Sequence, residues 1–434
     1  MGKNNIVEDH AHVVTKRNYE SYYWVVIALT AFIVSVSASF VLCKFKPTTW
    51  EYEILAKNMI EHGEYVFNYR EYGEYKALLA PGYSFLTYLV YKIFGTSNLL
   101  MLFIQFILMA VFCVIVYRIS FELFSNRNVA LISGLLASLH PGLVYYYAVN
   151  LHNLTLYMPL FYGSILLLIL CHKTGKFKFF LIFGIVAGAA VLTRATILPV
   201  IFAGILFYCL FGTSLNFRKR LLFSSISLSI VIAVNLPWAI RNYMIFDKYI
   251  FSQTNKWESF WIGNNPNATG GHWTADKRAV LECKPVEMQA EINASKSELE
   301  DNEIFKKYTF KYMREQPGDF IKGILRKGAY FWWFYPQTGL FYPRIYLIIY
   351  KVVYILTVAF AIAGLLLCQR KRLWSPLMVY PTLLVLGIYG VHTVNFMEMR
   401  HRWTVEPVLL IFASLALYYL IQKMISRYSR KAFE

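Results

Sequence analysis

The chain has 434 residues, of which 57% are hydrophobic, 18% aromatic and only 16% charged, well below the roughly 25% charged of a soluble domain. A soluble fold is excluded on that ground. The net charge of +18 would suggest nucleic acid to a soluble protein, but here the surplus lies in short loops and tails beside apolar stretches, where the positive-inside bias puts it. No nucleic-acid partner is expected.

Crossing about 30 Å of hydrocarbon takes roughly 20 residues. Ten stretches qualify in chain order: 22 to 43, 97 to 117, 128 to 147, 153 to 171, 178 to 193, 195 to 213, 221 to 240, 346 to 367, 374 to 392 and 404 to 422. The fold class predicted is all-α, a polytopic transmembrane bundle of about ten spans with outer-face juxtamembrane helices and one long extracytoplasmic loop. Residues 1 to 21 are polar and precede an apolar run too long for a signal-peptide core, so they read as a cytoplasmic tail before a retained anchor. A membrane core over 22 to 243 includes a first extracytoplasmic loop, 44 to 81. The segment 82 to 95 is shorter than a span and holds Lys92; it reads as a helix on the outer leaflet opened by Pro81. Counting it as a span would export the ArgLysArg clusters at 218 to 220 and 370 to 372.

Residues 244 to 330 form the long extracytoplasmic loop. From Asp247 to Lys327 it carries 13 Lys plus Arg against 12 Asp plus Glu, the near neutrality allowed to a segment exempt from the positive-inside bias. Residues 299 to 315 have an amphipathic pattern with acids at the start. ProGlyAsp at 317 to 319 separates them from a second helix, 319 to 334, whose Lys322, Arg326, Lys327, Trp332 and Trp333 suit the headgroup belt. Transmembrane helices follow over 331 to 422, then a cytoplasmic tail, 423 to 434. The six cysteines show neither a disulfide framework nor a CxxC pattern, and no metal is expected.

Polar chemistry gathers at the outer ends of the spans. Between Glu74 and Asp247 the only acid is Glu122, expected at the cytoplasmic face. A carboxylate acting outside must therefore come from the first loop, the long loop, or Glu398 and Glu406. Arg194, Arg241, Arg400 and Arg402 share the same rim. An arginine facing lipid there costs several kcal/mol, so they face an interior cavity or snorkel to the interface, and their forked donors suit a phosphate. His152 and His401 are candidate hydrogen-bond donors. Tyr52, Trp238, Trp261 and Trp273 are candidate walls for a sugar ring or prenyl chain, or belt anchors.

Five motifs occur in an order that resembles the GT-C superfamily of integral-membrane glycosyltransferases, in particular the branch of the lipid A aminoarabinose transferases and protein O-mannosyltransferases. They are TrpGluTyrGlu opening 50 to 63, AlaProGlyTyr at 80 to 83, the small-residue span ending ThrArg at 193 to 194, ProTrpAlaIleArgAsnTyr at 237 to 243 followed by TrpIleGlyAsnAsnPro at 261 to 266, and ArgHisArgTrpThrValGluPro at 400 to 407. The resemblance implies transfer of a sugar from a polyprenyl-phosphate donor to a lipid, glycan or protein acceptor. This would be an inverting displacement at the outer face of a bacterial inner membrane, with both termini cytoplasmic and no cofactor. It assigns Arg194, Arg241, Arg400 and Arg402 to the donor phosphate, and Tyr52, Trp238, Asn242, His152, His401 and Trp261 to substrate binding. Family acids fall at Thr48 and Asn153, both neutral here. Either Glu51, three residues after Thr48 and so on roughly the same helix face, serves as general base, or the chain lacks that activity; Glu53, two positions further on, points elsewhere and is the second candidate. The alternatives are a catalytically degenerate scaffold and a transporter of lipid-linked sugars.

Overall fold

The computed structural model describes residues 22–68, 73–340 and 342–431; the expected tail 1 to 21 and the end of the tail 423 to 434 lie outside them. In chain order, α1 (Tyr23–Cys43) is followed by α2 (Glu51–Glu61), a hairpin of β1 (Phe67–Asn68) and β2 (Glu74–Tyr75), α3 (Gly82–Phe94) and α4 (Asn98–Phe124). Then come α5 (Arg127–Ser138), α6 (Pro141–Val149), α7 (Leu154–Thr174), α8 (Phe177–Thr193), α9 (Leu198–Phe211) and α10 (Phe217–Phe246). The long loop folds as α11 (Lys256–Gly263), α12 (Val286–Ala294), α13 (Glu298–Glu315) and α14 (Pro317–Trp332). The chain closes with α15 (Arg344–Arg370), α16 (Val379–Val394), the short α17 (Met399–Trp403) and α18 (Glu406–Lys431). The hairpin, antiparallel with Phe67 opposite Tyr75, is the one ladder among the described residues.

Seven of these helices are long and apolar enough to cross a membrane, or eight when α5 and α6 count as one bent span. The all-α polytopic bundle therefore holds. The stretch 128 to 147 is not one straight span: it breaks at Leu139 and His140 with a 49° bend. Pro141 has no N–H and cannot continue the preceding helix, and His140 Nδ1 accepts the Leu143 N–H at 3.2 Å to start a new one. α8 and the Ala195–Phe211 segment are apolar but shorter than 18 residues.

Local sequence explains the packing. Gly184 and Gly188 of α8 face Ile230 and Val234 of α10, where an added Cβ would come within 2.8 Å of each side chain; only glycine lets the two backbones approach so closely. On α3, Phe85, Leu89 and Ile93 are exposed along one stripe while Tyr83, Thr87 and Val90 are buried on the other. That is the face division of a helix lying along an apolar surface. In the long loop, Ser297 caps α13 through the Glu300 N–H, with Glu298, Glu300 and Asp301 in its first turn. Pro317 takes the first turn of α14.

The structure thus has seven or eight span-length helices against the ten spans expected from the sequence, and the expected sidedness of the loops makes a direct prediction. Cysteines placed at Asn216 and Arg370 should resist an impermeant thiol reagent applied from outside, while the half-buried Cys283 reacts; outside labelling of either introduced cysteine overturns it.

Candidate functional site

Two adjoining hollows, about 440 Å³ and about 680 Å³, share Tyr52, Leu79, His152, Ser259, Phe396 and Arg400 on their walls. Glu51, Glu258, Glu398 and His272 line the first. Arg194, Lys256, Asn153, His392 and His401 line the second. The cleft is thus acidic on one side and basic on the other, with Arg400 between.

Backbone pairing assembles the junction. The Thr48 N–H donates to Val149 at 2.7 Å and the Leu151 N–H donates to Thr48 at 2.9 Å, so the first loop runs beside the turn that leads into α7. Thr48 is paired with Asn150, three residues before Asn153. Thr48 and Asn153, where the resemblance expects acids, therefore lie in one corner of the fold. The expected shared helix face of Thr48 and Glu51 is not found: α2 starts at Glu51 behind an extended Trp50, and Thr48 lies in the bridge. Glu51 nonetheless reaches the first hollow and has no carboxylate-bound cation or hydrogen-bond donor among the described residues. Glu53 is buried, paired with Lys57 at 2.9 Å, and is absent from the walls of both hollows.

Arg400 is held by Glu398 at 2.6 Å and donates to the Tyr146 hydroxyl at 3.2 Å. Burial, the largest influence, opposes its charge, but the Glu398 carboxylate together with Tyr146 and Tyr342 keeps the guanidinium above its ordinary pKa. Arg194, the C-cap of α8, donates to Thr196 Oγ1 at 3.3 Å and lies 3.4 Å from His392 Nε2. Its guanidinium stacks 5.4 Å from the Tyr157 ring centre, and it has no carboxylate partner among the described residues. Arg194 is half-buried; a cation drawn partly out of water without a counter-charge is costly, and the donors that Thr196 does not take stay open to an incoming anion.

The imidazoles leave that charge undivided. Burial and then Arg400 and Arg194 push His152 well below its usual pKa, and burial and then His392 push His401 the same way, so both are neutral. Tautomers follow from the hydrogen-bond network. His152 Nδ1 accepts the Leu154 N–H at 3.1 Å and His401 Nδ1 accepts the Glu398 N–H at 3.1 Å, so each carries its proton on Nε2. His152 Nε2 and Arg400 are then two donors 3.4 Å apart, an arrangement that suits a shared acceptor oxygen.

The other expected site residues lie elsewhere, and their contacts say why. Arg241 donates to Lys76 O at 2.6 Å and Tyr65 O at 3.1 Å and stacks on Trp238, 4.5 Å from its ring centre. Trp238 donates to Ser252 O and Asn242 to Ile250 O. The ProTrpAlaIleArgAsnTyr motif is therefore a staple that pins the first loop and the long loop to the end of α10. Arg241→Ala should lower the Tm by roughly 2–6 °C, given charged hydrogen bonds of about 1.5–3 kcal/mol, and should hasten proteolysis near residue 250. An unchanged melting curve would contradict this role. Arg402 is fully buried against Glu406 at 2.8 Å and the Tyr350 hydroxyl at 2.9 Å, with Glu406 also paired to His140 at 2.5 Å. Trp261 packs with Met288, Ile292 and Phe305 in a separate small core.

TrpIleGlyAsnAsnPro is also a junction. Asn264 donates to Val394 O and Asn395 O at 3.0 and 3.2 Å. A Cβ on Gly263 would lie 2.0 Å from Asn395 O. Lys327 from α14 enters the same joint, donating to Asn264 Oδ1 at 2.6 Å and Asn395 O at 2.7 Å, although burial pushes its ammonium pKa down to about 7. Together these contacts fix the end of α16, and with it His392 and Phe396, at the cleft. His392, His272 and Glu258 have no sequence signal of their own. Each is brought in by a loop or span end whose docking only the fold reveals.

Among the described residues no group of three or more His, Cys, Asp or Glu is placed to hold a metal ion. No curated protein sequence matches the chain. The dolichyl-phosphate-mannose-protein mannosyltransferase family matches residues 79–238. An archaeal oligosaccharyltransferase, AglB from Archaeoglobus fulgidus, in complex with an inhibitory peptide and a dolichol-phosphate, superposes with a TM-score of 0.58 at 14% identity, covering 95% of this chain and 52% of that one. The Archaeoglobus fulgidus oligosaccharyltransferase in complex with Zn and sulfate gives 0.57 at 18% identity, covering 92% and 50%. ArnT from Cupriavidus metallidurans bound to undecaprenyl phosphate gives 0.42 at 12% identity, covering 91% and 77%. The chain spans about half the length of the oligosaccharyltransferase structures it matches. With a mannosyltransferase signature over 79–238 and the oligosaccharyltransferase fold over nearly its whole described length, the chain has a GT-C glycosyltransferase fold, and the resemblance its motifs carry is borne out.

Proposed function

We propose that the chain is a membrane glycosyltransferase that moves a sugar from a polyprenyl-phosphate donor to an acceptor at the extracytoplasmic face by inverting displacement. The observation that carries this reading is Glu51, with no ion-pair or hydrogen-bond partner for its carboxylate among the described residues, on the acidic side of a cleft whose basic side holds Arg194, which has no carboxylate partner among them. The donor phosphate lies on the basic side, where Arg194, Arg400 and the Nε2–H groups of His152 and His401 converge. The acceptor hydroxyl enters from the acidic side. Glu51 takes its proton as the acceptor oxygen bonds to the anomeric carbon. The bond from that carbon to phosphate oxygen breaks, and its electron pair leaves on polyprenyl phosphate, whose growing charge the two arginines stabilise. The superposed oligosaccharyltransferase in complex with a dolichol-phosphate supports a lipid-phosphate site in this fold.

The test uses the full chain in liposomes with a polyprenyl-phosphate sugar labelled in the sugar. Transfer predicts that label leaves the lipid as free polyprenyl phosphate appears in equal amount, with the anomeric configuration inverted in the product. Label that crosses the bilayer still attached to its lipid would instead establish a transporter.

A further inference from the structure

The acidic hollow has a composition that identifies its occupant's chemistry. Its walls combine aromatic rings on several sides with carboxylates between them. Trp50 and Glu51 come from the start of α2, Tyr145 and Tyr146 from α6, Trp273 from the long loop, and Tyr342 from the segment before α15. Tyr145 and Tyr342 are mutually braced, with ring centres 5.7 Å apart at 69°, and Tyr342 lies 5.8 Å from the ring of the fully buried Trp403. The Tyr145 and Tyr342 rings are therefore fixed surfaces, ordered before anything binds.

Carboxylates accept hydrogen bonds and donate none when ionised, and each has about four lone-pair sites. Glu398 uses one oxygen toward Arg400 at 2.6 Å and the other toward His272 at 3.3 Å and caps the His401 N–H, which takes three of its about four lone-pair sites. The Glu51 carboxylate has no partner among the described residues and keeps its capacity. The hollow thus presents flat apolar faces beside a surplus of acceptors. An acyl chain cannot satisfy the carboxylates. A peptide would bring a carbonyl acceptor with each N–H donor, and no strand among the described residues offers these walls an open edge for it to extend. A pyranose or furanose fits both demands, because its C–H faces cover aromatic rings while its hydroxyls donate to the carboxylates.

We infer that the acceptor is a carbohydrate, bound in this hollow by stacking on Trp273 and Tyr342 with hydroxyls directed to Glu51 and Glu398. The inference rests on the transferase reading for the word acceptor, but the saccharide site itself is independent of the donor.

Saturation-transfer NMR on the full chain in nanodiscs measures this directly, with methyl glycosides of glucose, galactose, mannose and arabinose, plus maltose and cellobiose, as probes. A serine- and threonine-containing hexapeptide and a lysophospholipid below its micellar concentration serve as competitors of other classes. The expected result is saturation of saccharide C–H protons. That signal should be lost in Trp273→Ala with Tyr342→Ala, kept in Trp273→Phe with Tyr342→Phe, and kept in Arg194→Ala, which weakens donor binding alone. Should the double alanine variant not fold, Trp273→Leu retains an apolar side chain without a ring face and is expected to lose the signal. No saturation of any saccharide, a saccharide signal that survives loss of the rings in a folded variant, or saturation of the hexapeptide alone overturns the inference. Loss of donor binding in the parent with the saccharide signal intact would count against the donor site only.

Discussion

Glu51→Gln should cut the rate of sugar transfer by about 100-fold or more while donor binding persists, because it removes the proton acceptor and keeps the size of the side chain. The structure sharpens this expectation. Glu51 lines the acidic side with no partner for its carboxylate among the described residues, whereas Glu398 is committed to Arg400 and His272 and Glu53 to Lys57. Thr48→Asp on the Glu51→Gln background should recover part of the rate, since Thr48 is paired with Asn150 at the same corner. Transfer by Glu51→Gln at the parental rate would remove Glu51 from the mechanism. A parent inactive with every donor tried, alongside an active Thr48→Asp variant, would show a family member that has lost its base.

Arg194→Ala should weaken binding of polyprenyl phosphate by about 10- to 100-fold, the equivalent of one or two charge-assisted hydrogen bonds. Arg194→Lys should restore little of it, because a point charge lacks the fork that grips two phosphate oxygens. Arg194 neutralises no carboxylate among the described residues, so its removal leaves no buried anion behind and the melting temperature should move little. Arg402→Ala is the contrasting case. It would take from the buried Glu406 its guanidinium partner and leave it to His140 and Tyr350, and its first effect should be on folding. Equal donor affinity in the parent and Arg194→Ala would place the phosphate elsewhere.

Much of the fold was legible because membrane spans announce themselves through unbroken apolarity, and the helices of the long loop through their caps and acids. The break at His140 was not, since His140 and Pro141 sit inside a stretch whose composition alone reads as one span. Within the site, the motifs located the right rim but did not separate residues that face the cleft from those that build it. Arg194 and Arg241 look alike in sequence, each at the end of a span. Arg241 is occupied by two backbone carbonyls from the first loop, a partner more than 160 residues away that no local pattern reveals. Arg400 and Arg402 lie two residues apart on one short helix, so their side chains diverge, one to the cleft and one to Glu406. Glu51 was placed in the cleft by a helical offset that the structure replaces with a β-bridge. The conclusion survived because the helix N-terminus itself abuts the hollow.

The central claim is that one cleft seats the lipid phosphate beside Arg194 and Arg400 and leaves Glu51 facing the sugar. A cryo-electron microscopy map of the full chain in nanodiscs with added polyprenyl phosphate measures it most directly. The account predicts phosphate density on the basic side, within hydrogen-bond reach of Arg194, Arg400 and His152, with the acidic hollow open next to it. Phosphate density at Arg241 or Arg402 instead, or a lipid bound outside this cleft with both arginines unoccupied, would contradict it.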